Sequence, residues 1–359
     1  MPALLACAAG GTTAATLSVG PGKTYVAPCA AFAVARDGDT IEIVGDWTYS
    51  GDVCAVARND LVIRGVKGRA VIDAAGRQFG GKGTWVVTGN NVTIENVEMF
   101  GAAVPDRNGA ALRLEGTHFT LRQAFLHDNE NGILSGANPN SNVVIEHSEF
   151  GHNGQGDGQT HNLYIGNVKS LTFRYNYSHD ANIGHDLKSR ARVNIIAYNR
   201  FSATPPGRTG STATGKPSYE IDLPNAGTSY LIGNVIEQPD INDNPNIVAY
   251  GEEGASNSGQ DLYVINNTFV NDHGSGTFLF ISGKVATPAL IQNNVFAGPG
   301  TVSTQASAVQ KDNQRVEKPG FMDRTGYALR PLVSPIVLKA GPAADPWKSG
   351  TKNDRPGMR

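Results

Sequence analysis

Asparagine recurs at one position of a repeated nine-residue pattern, and this repeat constrains the fold more than any other feature of the sequence. The pattern alternates apolar and polar residues, as in LTFRYNYSH at 171–179 and LYVINNTFV at 262–270. Self-similarity at a period of about 25–35 residues is typical of a solenoid, in which each repeat forms one coil. The sixth position is asparagine in five successive copies, which contain Asn176, Asn199, Asn234, Asn267 and Asn294.

A second family of short strands alternates with the first along the chain. Its members, such as HNLYIG at 161–166 and HDLKSR at 185–190, have the period-2 alternation of a half-buried strand. Two strand families in each coil predict an all-β, single-domain right-handed parallel β-helix. The asparagines then lie at a tight bend, where a side-chain amide tolerates left-handed backbone and can bond the same amide in the next coil. An antiparallel β-sandwich, the alternative fold, does not explain an asparagine at one fixed phase.

Both ends of the repeat have sequences suited to capping a solenoid. Residues 29–36, CAAFAVAR, are typical of a short amphipathic helix and precede a strand, so we expect them to cover the N-terminal end of the core. We assign the parallel β-helix domain to residues 19–300. Residues 301–359 lose the repeat and contain several prolines, and we expect a C-terminal cap or tail packed on the helix. Residues 1–18 resemble the remainder of an export signal.

Charge and composition exclude two classes of protein. The 359 residues carry a formal net charge of -2 and no stripe of Lys and Arg that could neutralise a nucleic-acid backbone. No stretch approaches the length of a transmembrane segment. Because residues 1–18 resemble the remainder of an export signal, we expect an exported protein that is secreted, periplasmic or on the cell surface. Cys29 and Cys54 flank the predicted helix-strand unit, and both a disulfide and two buried free thiols remain open. The sequence carries no signal for an oligomeric state.

Polar side chains are concentrated on three neighbouring strands of the second family, at 161–166, 185–190 and 219–224. Parallel strands lie ~4.8 Å apart, so we expect the polar patch to span about one sugar unit and its neighbours. A solvated strand face with incidental ion pairs is the simpler interpretation. Against it, the strands on either side carry mostly small or apolar residues. The patch comprises His161, Asn162, Tyr164, His185, Asp186, Lys188, Arg190, Tyr219, Glu220 and Asp222.

From about Val19 to about Gly298, the chain resembles the pectate-lyase-like right-handed β-helix proteins. These include polysaccharide lyases, galacturonan hydrolases and alginate epimerases. The resemblance depends on the coil period, the repeated asparagine and the N-terminal cap. It implies a groove on the β-helix that binds an acidic polysaccharide. The reaction itself has to be inferred from the residues of the site.

The polar patch suits cleavage of a uronic-acid polysaccharide by β-elimination. That reaction needs a base for the proton alpha to the carboxylate and a positive charge that neutralises the carboxylate. By analogy with the lyases of this fold, we assign Lys188 as the base and Arg190 as the carboxylate clamp or proton donor. Tyr164 or His185 would protonate the leaving group.

Calcium is the expected cofactor, because carboxylate and amide oxygens are its preferred ligands. Nearby carboxylates would raise the pKa of Lys188, which is unfavourable for a base, and a bound divalent cation would offset this effect. Without a metal, His185 or Tyr164 would be the better base. The expected metal ligands are Asn162, Asp186 and Glu220. The expected substrate-binding residues are His161, Tyr219 and Asp222.

Three other functions remain open from the sequence. A glycoside hydrolase could use Asp186 with Glu220, which would be ~5 Å apart, or with Asp222, which would be ~8 Å away, as in an inverting pair. A uronate epimerase would share the first step of the lyase. A non-catalytic glycan-binding surface protein would use the patch only for docking.

Other polar clusters give weaker support for a functional role than the polar patch does. Zinc at His161, His185 and Asp186 has no supporting spacing signature. His179 and Asp180 fall at a bend, and we expect them to orient a loop. For the pair at 252–253, Glu252-Glu253, a solvated acidic turn is favoured over an extension of the groove.

Overall fold

The computed structural model describes residues 14–202, 217–317, 321–323 and 328–331. Within these residues the chain winds through three long sheets, and strands from successive coils are hydrogen-bonded neighbours in each sheet. The pairings within these sheets are parallel, as in the coils of the polar patch. The predicted right-handed parallel β-helix is confirmed, since parallel crossover connections of this kind are right-handed.

The strands are numbered along the chain and grouped by sheet. Sheet 1 contains β1 (Thr16–Val19), β2 (Thr40–Val44), β5 (Val62–Val66), β8 (Val92–Glu95), β11 (Phe119–Arg122), β14 (Asn138–Glu146), β17 (Val168–Arg174), β20 (Val193–Ala197), β23 (Thr228–Ile232), β26 (Leu262–Ile265), β29 (Leu290–Gln292) and β32 (Val309–Lys311). Sheet 2 contains β4 (Cys54–Val56), β7 (Gly83–Val87), β10 (Ala110–Leu114), β13 (Asn131–Ser135), β16 (Leu163–Ile165), β19 (Leu187–Ser189), β22 (Ile221–Leu223), β25 (Asn246–Tyr250), β28 (Thr277–Ile281) and β31 (Thr301–Ser303). Sheet 3 contains β3 (Thr48–Ser50), β6 (Ala70–Asp73), β9 (Val97–Phe100), β12 (Phe125–His127), β15 (Glu149–Gly151), β18 (Tyr177–His179), β21 (Arg200–Ser202), β24 (Val235–Gln238), β27 (Thr268–Asn271), β30 (Val295–Ala297) and β33 (Gln314–Val316). A separate antiparallel pair follows, formed by β34 (Phe321–Asp323) and β35 (Ala328–Pro331).

Each nine-residue repeat forms two strands, because the chain turns a corner inside it. The segment 171–179, for example, contains the end of β17 in sheet 1 and all of β18 in sheet 3. The left-handed residue at this corner is Tyr175 (φ 59°), which precedes the asparagine. A coil therefore has three strands, whereas the sequence pattern predicted two.

The repeated asparagines form the predicted ladder along the corner between sheets 1 and 3. The Asn199 Nδ2 donates to Asn234 Oδ1 (3.0 Å), and the Asn234 Nδ2 donates to Asn267 Oδ1 (2.9 Å). Each Oδ1 also accepts the backbone N–H of the asparagine one coil earlier, as between Asn199 and Asn234 (2.9 Å). Asn313 extends the ladder by one further coil beyond Asn294. These amides replace the strand hydrogen bonds that the corner interrupts.

The core consists of apolar side chains stacked in rows along the inside of the coil. In sheet 2, one such row contains Leu163, Leu187 and Ile221, all fully buried. Burying one such side chain stabilises the fold by about 1.5–3 kcal/mol. The alternate residues of these strands point away from the core, which sets the register of the polar patch.

A short helix and a disulfide close the N-terminal end. Helix α1 (Pro28–Val34) packs Phe32 edge-on against Trp85, with ring centroids 5.1 Å apart. The predicted capping helix is therefore confirmed. Cys29 is bonded to Cys54, which decides between the two open possibilities in favour of a disulfide.

The coil extends beyond both expected domain boundaries. Strand β1 begins at Thr16 and pairs with β2, and strands β31 to β33 carry the three sheets to Val316. The expected leader falls mostly on residues 1–13, which lie outside the described residues, and beyond residue 317 the described part of the expected tail is the antiparallel pair of β34 and β35. Among the described residues, no helix has the length and apolar character that crossing a membrane requires.

Candidate active site

The three strands of the polar patch are consecutive rungs of sheet 2, as the sequence predicted. Tyr164 on β16 pairs in register with Lys188 on β19, and Lys188 pairs with Asp222 on β22. All three side chains point away from the core because the neighbouring leucines and isoleucines are buried in it. The outward face of these rungs therefore brings a phenol, an ammonium and a carboxylate together.

Lys188 lies between two carboxylates. Its Nζ is 2.8 Å from Asp222 Oδ2 and 2.9 Å from Glu253 Oε1. Burial alone would lower the pKa of Lys188, but these carboxylates outweigh it and raise that pKa. Burial raises the pKa of Asp222 to about 7, although the ammonium of Lys188 opposes the shift. Lys188 is thus held as an ammonium, and this arrangement suits charge neutralisation better than the predicted role as a base.

Arg190 organises the other half of the site. Its Nε donates to the hydroxyl oxygen of Tyr164 (2.7 Å), and its terminal nitrogens donate to Asn225 and to Glu253 Oε2. The carboxylate of Glu253 therefore joins Lys188 to Arg190, one oxygen to each cation. Glu253 is not part of a merely solvated turn, which was the favoured interpretation of its sequence.

Two stacked imidazoles lie beside these charges. The rings of His161 and His185 have centroids 4.6 Å apart and are nearly parallel. Burial is the main cause that lowers the pKa of His161 to about 3 and that of His185 well below its usual value, so both rings are neutral at pH 7.

The hydrogen bonds of these neutral rings determine where their protons lie. The Nδ1 of His161 accepts the backbone N–H of His185 (3.1 Å), and the Nδ1 of His185 accepts the backbone N–H of Tyr219 (3.2 Å). A neutral imidazole that accepts at Nδ1 carries its proton on Nε2. The Nε2 of His185 lies 3.4 Å from Asp222 Oδ2 and faces it as a donor. His185 is therefore poorly arranged to act as a base.

Tyr219 lies at the rim of the site. Its hydroxyl donates to Glu252 Oε2 (2.8 Å). Burial first and the Glu252 carboxylate second raise the pKa of Tyr219 above its usual range. Tyr219 is thus held as a hydrogen-bonding phenol, and its role beside a substrate stays a prediction.

The three expected metal ligands do not face solvent. Asn162, Asp186 and Glu220 are fully buried, at the corner where the chain passes from sheet 3 into sheet 2. Each lies one residue before its strand begins, and the period-2 alternation of a strand does not extend into a corner. The expectation that these side chains point outward with Lys188 is wrong for this reason.

These three side chains form a hydrogen-bonded stack. The Asn162 Nδ2 donates to Asp186 Oδ1 (3.0 Å), and Asn153 Nδ2 donates to Asn162 Oδ1 (2.9 Å). Burial raises the pKa of Asp186 to about 7, and burial together with the charge of Asp186 raises that of Glu220 well above its usual range. Two neighbouring buried carboxyl groups of this kind favour a state in which they share one proton. A stack with an amide NH₂ directed at a carboxylate does not fit a calcium cage.

A different set of carboxylates lies close together beside Lys188, where Asp222 is buried, Glu252 is partly buried and Glu253 is exposed. Carboxylate oxygens of Asp222, Glu252 and Glu253 lie within 4.8 Å of one another. Glu252 and Glu253 reach the site on the loop after β25. Glu253 is 65 residues from Lys188 along the chain. No local pattern connects such distant segments. The position of Glu252-Glu253 just after a strand of the same sheet was the only sequence signal for them.

Known structures with the same fold include several carbohydrate-active proteins. No protein-family model and no curated protein sequence matches the chain. The pectate lyase Pel9A is 15% identical, with a TM-score of 0.54 over 85% of this chain and 80% of its own. A PL6 family alginate lyase, AlyGC, is 14% identical (TM-score 0.47; 85% of this chain, 40% of its own), and the pectin methylesterase PemA from Erwinia chrysanthemi is 11% identical (TM-score 0.42; 84% and 93%). At these identities the similarity shows the fold alone, which is the right-handed parallel β-helix.

Proposed function

We propose that the protein is a polysaccharide lyase that cleaves a uronic-acid polysaccharide by β-elimination. The observation that carries this proposal is the carboxylate of Glu253, held with one oxygen on Lys188 and the other near Arg190. A uronate carboxylate that replaced Glu253 would meet the same two cations. Such charge-assisted contacts stabilise the negative charge that develops when the alpha proton leaves.

Tyr164 is the group best arranged to move the proton. Its hydroxyl oxygen accepts a hydrogen bond from Arg190, whose positive charge stabilises negative charge on that oxygen. In the proposed reaction Tyr164 acts as the phenolate: its oxygen takes the proton alpha to the carboxylate, the electrons of that C–H bond form a carbon–carbon double bond, and the glycosidic C–O bond breaks. The departing oxygen then takes up the proton from Tyr164, which restores the starting state.

The remaining polar groups position this pair. Asp222 holds Lys188 and faces the Nε2–H of His185, and the His161 ring stacks on His185. These contacts fix the ammonium on the outward face of the rungs. Tyr219 extends the row of hydrogen-bonding groups along the groove, where a neighbouring sugar would lie.

Calcium is part of the proposal through the surface oxygens. Asp222 and Glu252 would hold the ion, which leaves Glu253 free to be displaced by substrate, and the buried Asn162, Asp186 and Glu220 would support the rung behind it. Bound there, Ca²⁺ would supply positive charge for the uronate carboxylate. Export is also proposed, because the Cys29–Cys54 disulfide suits an oxidising compartment.

The reaction can be identified from its products. The protein is incubated with pectate, alginate and glycosaminoglycans, with calcium or with a chelator, while ultraviolet absorbance is followed. We expect absorbance from unsaturated ends. New reducing ends without absorbance would indicate a hydrolase, inverted uronates an epimerase, and an unchanged polymer a glycan-binding protein; each would overturn the proposal.

The Tyr164→Phe variant tests the proton-transfer role. It keeps the ring and removes the hydroxyl, so we expect the rate of elimination to fall about 10²–10⁴-fold, the range for loss of a general acid–base group. Tyr198→Phe is the matched control, since Tyr198 is exposed on a different corner of the coil. Activity of Tyr164→Phe within a few-fold of the parent protein would assign the proton transfer to another residue.

A further inference from the structure

A second cluster of polar side chains lies at the end of two rungs of sheet 3, and neither the fold nor the proposed elimination uses it. His152 follows strand β15, His179 ends strand β18, and Asp180 follows it. One nitrogen from each histidine and one oxygen from the aspartate lie within 4.8 Å of one another. We propose that His152, His179 and Asp180 bind a first-row transition metal ion such as Zn²⁺.

The type of ligand determines which metals the cluster would take. Two imidazoles and one carboxylate are the donors of many zinc sites, with metal–ligand distances of about 2.0–2.2 Å, and they suit Co²⁺, Ni²⁺ and Cu²⁺ as well. Calcium and magnesium prefer sets made of oxygen alone. This cluster therefore differs in metal preference from the oxygens of Asp222, Glu252 and Glu253.

The three ligand atoms lie close enough together for a single ion to reach them after small movements. Their planes are nearly perpendicular (86°) with centroids 5.3 Å apart, and His179 Nδ1 is 2.7 Å from Asp180 Oδ2. Adjacent ligands around a tetrahedral zinc ion are about 3.3 Å apart, given bonds of about 2.0 Å. Small movements of the half-buried His152 ring would bring its nitrogen within that range. A bound metal would replace the proton that lies between His179 and Asp180.

The surroundings of His179 are those of a metal ligand held in place by a second carboxylate. Its Nε2 is 3.3 Å from Glu149 Oε1, so Nε2–H can donate to Glu149 while Nδ1 faces Asp180 and the metal. Metal-bound histidines typically donate their other ring N–H to a carboxylate or carbonyl, which fixes the tautomer and the ring. The backbone is fixed as well, because Asn162 Nδ2 donates to the carbonyl of His179 (2.8 Å).

Gly151 makes room for the His179 ring. The two residues are paired in register on neighbouring rungs. A Cβ at position 151 would meet His179 Cε1 at 2.6 Å, so the imidazole can lie over this rung only because residue 151 is glycine. The Gly151→Ala substitution would therefore displace one metal ligand without removing any.

The same sheet contains an incomplete copy of this cluster. His127 Nδ1 is 2.6 Å from Asp128 Oδ2, and His127 Nε2 is 3.3 Å from Glu98 Oε1, which repeats the contacts of His179 with Asp180 and Glu149. Among the described residues, no third metal-ligating atom completes this copy as His152 completes the other. His127 therefore provides a control with the same local chemistry and one ligand fewer.

The experiment measures metal binding to the full chain in the absence of any polysaccharide. Chelator-treated protein is titrated with Co²⁺, followed by its visible absorption, and then with Zn²⁺ in competition. We expect one Co²⁺ per chain, displaced by Zn²⁺ and not by excess Ca²⁺. His152→Ala, His179→Ala and Gly151→Ala should each weaken binding at least tenfold, whereas His127→Ala should bind as the parent protein does.

Three outcomes would overturn this proposal. The first is the absence of stoichiometric Co²⁺ binding, and the second is binding that survives in both His152→Ala and His179→Ala. Displacement of Co²⁺ by Ca²⁺ would assign the ion to the surface carboxylates and would count against the proposal as well. His152 is half-buried, so its alanine variant is expected to fold, and its circular dichroism spectrum and thermal unfolding are measured to check this. The result is independent of whether the protein cleaves polysaccharide.

Discussion

At the scale of single residues, the site depends on one carboxylate that the chain supplies itself. Glu253 contacts both cations of the candidate active site, yet its side chain is 42% exposed. Ion pairs of such exposed groups contribute about 0.2–1 kcal/mol each. A substrate carboxylate can therefore displace Glu253 at a small cost in free energy.

This arrangement predicts the effect of Glu253→Gln on substrate binding. Removing the charge leaves Lys188 and Arg190 open to an incoming uronate, so we expect KM to fall about fivefold, equivalent to about 1 kcal/mol. Steady-state kinetics on the polymer that the protein cleaves measure the change. Glu115→Gln is the matched control, because Glu115 also contacts a lysine and an arginine but outside the site. A rise in KM would mean that Glu253 itself holds substrate or metal.

A second residue-scale prediction concerns the buried carboxyl pair. The pKa values of Asp186 and Glu220 are raised in the folded protein, so the folded state binds more protons than the unfolded state above about pH 4. Stability from this pair is fully present below the unfolded pKa and is lost as pH rises toward 7. One proton corresponds to about 1.4 kcal/mol per pH unit.

Asp186→Asn should therefore reduce the pH dependence of stability. An asparagine at position 186 has the same shape as the aspartate. It still accepts a hydrogen bond from Asn162 and can donate one to Glu220. We expect a higher Tm than that of the parent at pH 7–8 and a shallower fall in Tm between pH 4 and 7. Some slope remains, because the pKa of Asp222 is also raised to about 7. An unchanged slope would mean that the pair does not share a proton.

At the scale of structural elements, the asparagine ladder connects the coils at one corner. Asn234 is buried, donates to the carbonyl of Ile196 (2.8 Å) and to Asn267, and accepts from Asn199. Truncation would leave the Asn199 N–H and the Ile196 carbonyl buried without partners. Such a group costs about 1–3 kcal/mol when it is left unsatisfied.

Asn234→Ala is therefore expected to destabilise the protein by about 3 kcal/mol. Denaturant unfolding measures the loss, and Asn313→Ala is the control at the open end of the ladder. Asn313 is only half-buried, so water can replace its bonds and we expect a loss below about 1 kcal/mol. Equal losses at the two positions would contradict the idea that burial makes the ladder stabilising.

The elements also show how far the sequence predicted the structure. The three sheet-2 strands of the polar patch were predicted in the right places and register, because alternation is a local signal that a strand preserves, although each has three residues where six were expected. The corners were not: Asn162, Asp186 and Glu220 were assigned to the outward face by extending the alternation one residue too far. The backbone leaves the pleated conformation there, and no periodic pattern records the direction of the side chain.

At the scale of the whole molecule, the N-terminal end is closed by a covalent bond. The disulfide joins Cys29, in the capping helix, to Cys54 in the first strand of sheet 2, across 25 residues. A solenoid whose end is open would expose its core, so the helix and the disulfide together protect the first coils.

Reduction of this bond is expected to lower stability. A closed loop of this size contributes about 3 kcal/mol in the chain-entropy model, so we expect that loss in both Cys54→Ser and the reduced protein. Thermal unfolding with and without a reducing agent measures it. The reducing agent should not lower the stability of the Cys54→Ser variant any further. A further loss of stability in that variant would mean that the effect of the reducing agent does not come from this disulfide.

The sequence by itself determined the coil, its strand directions and the three rungs that carry Tyr164, Lys188 and Asp222. It could do so because a solenoid repeats the same local pattern in every turn, so that each copy reinforces the others. Only the tertiary structure decided which polar side chains meet. Glu253 reaches Lys188 from a distant loop, and the ends of two sheet-3 rungs bring His152 beside His179. Contacts between segments that are far apart in the chain depend on how loops and corners close. A periodic sequence pattern does not record this.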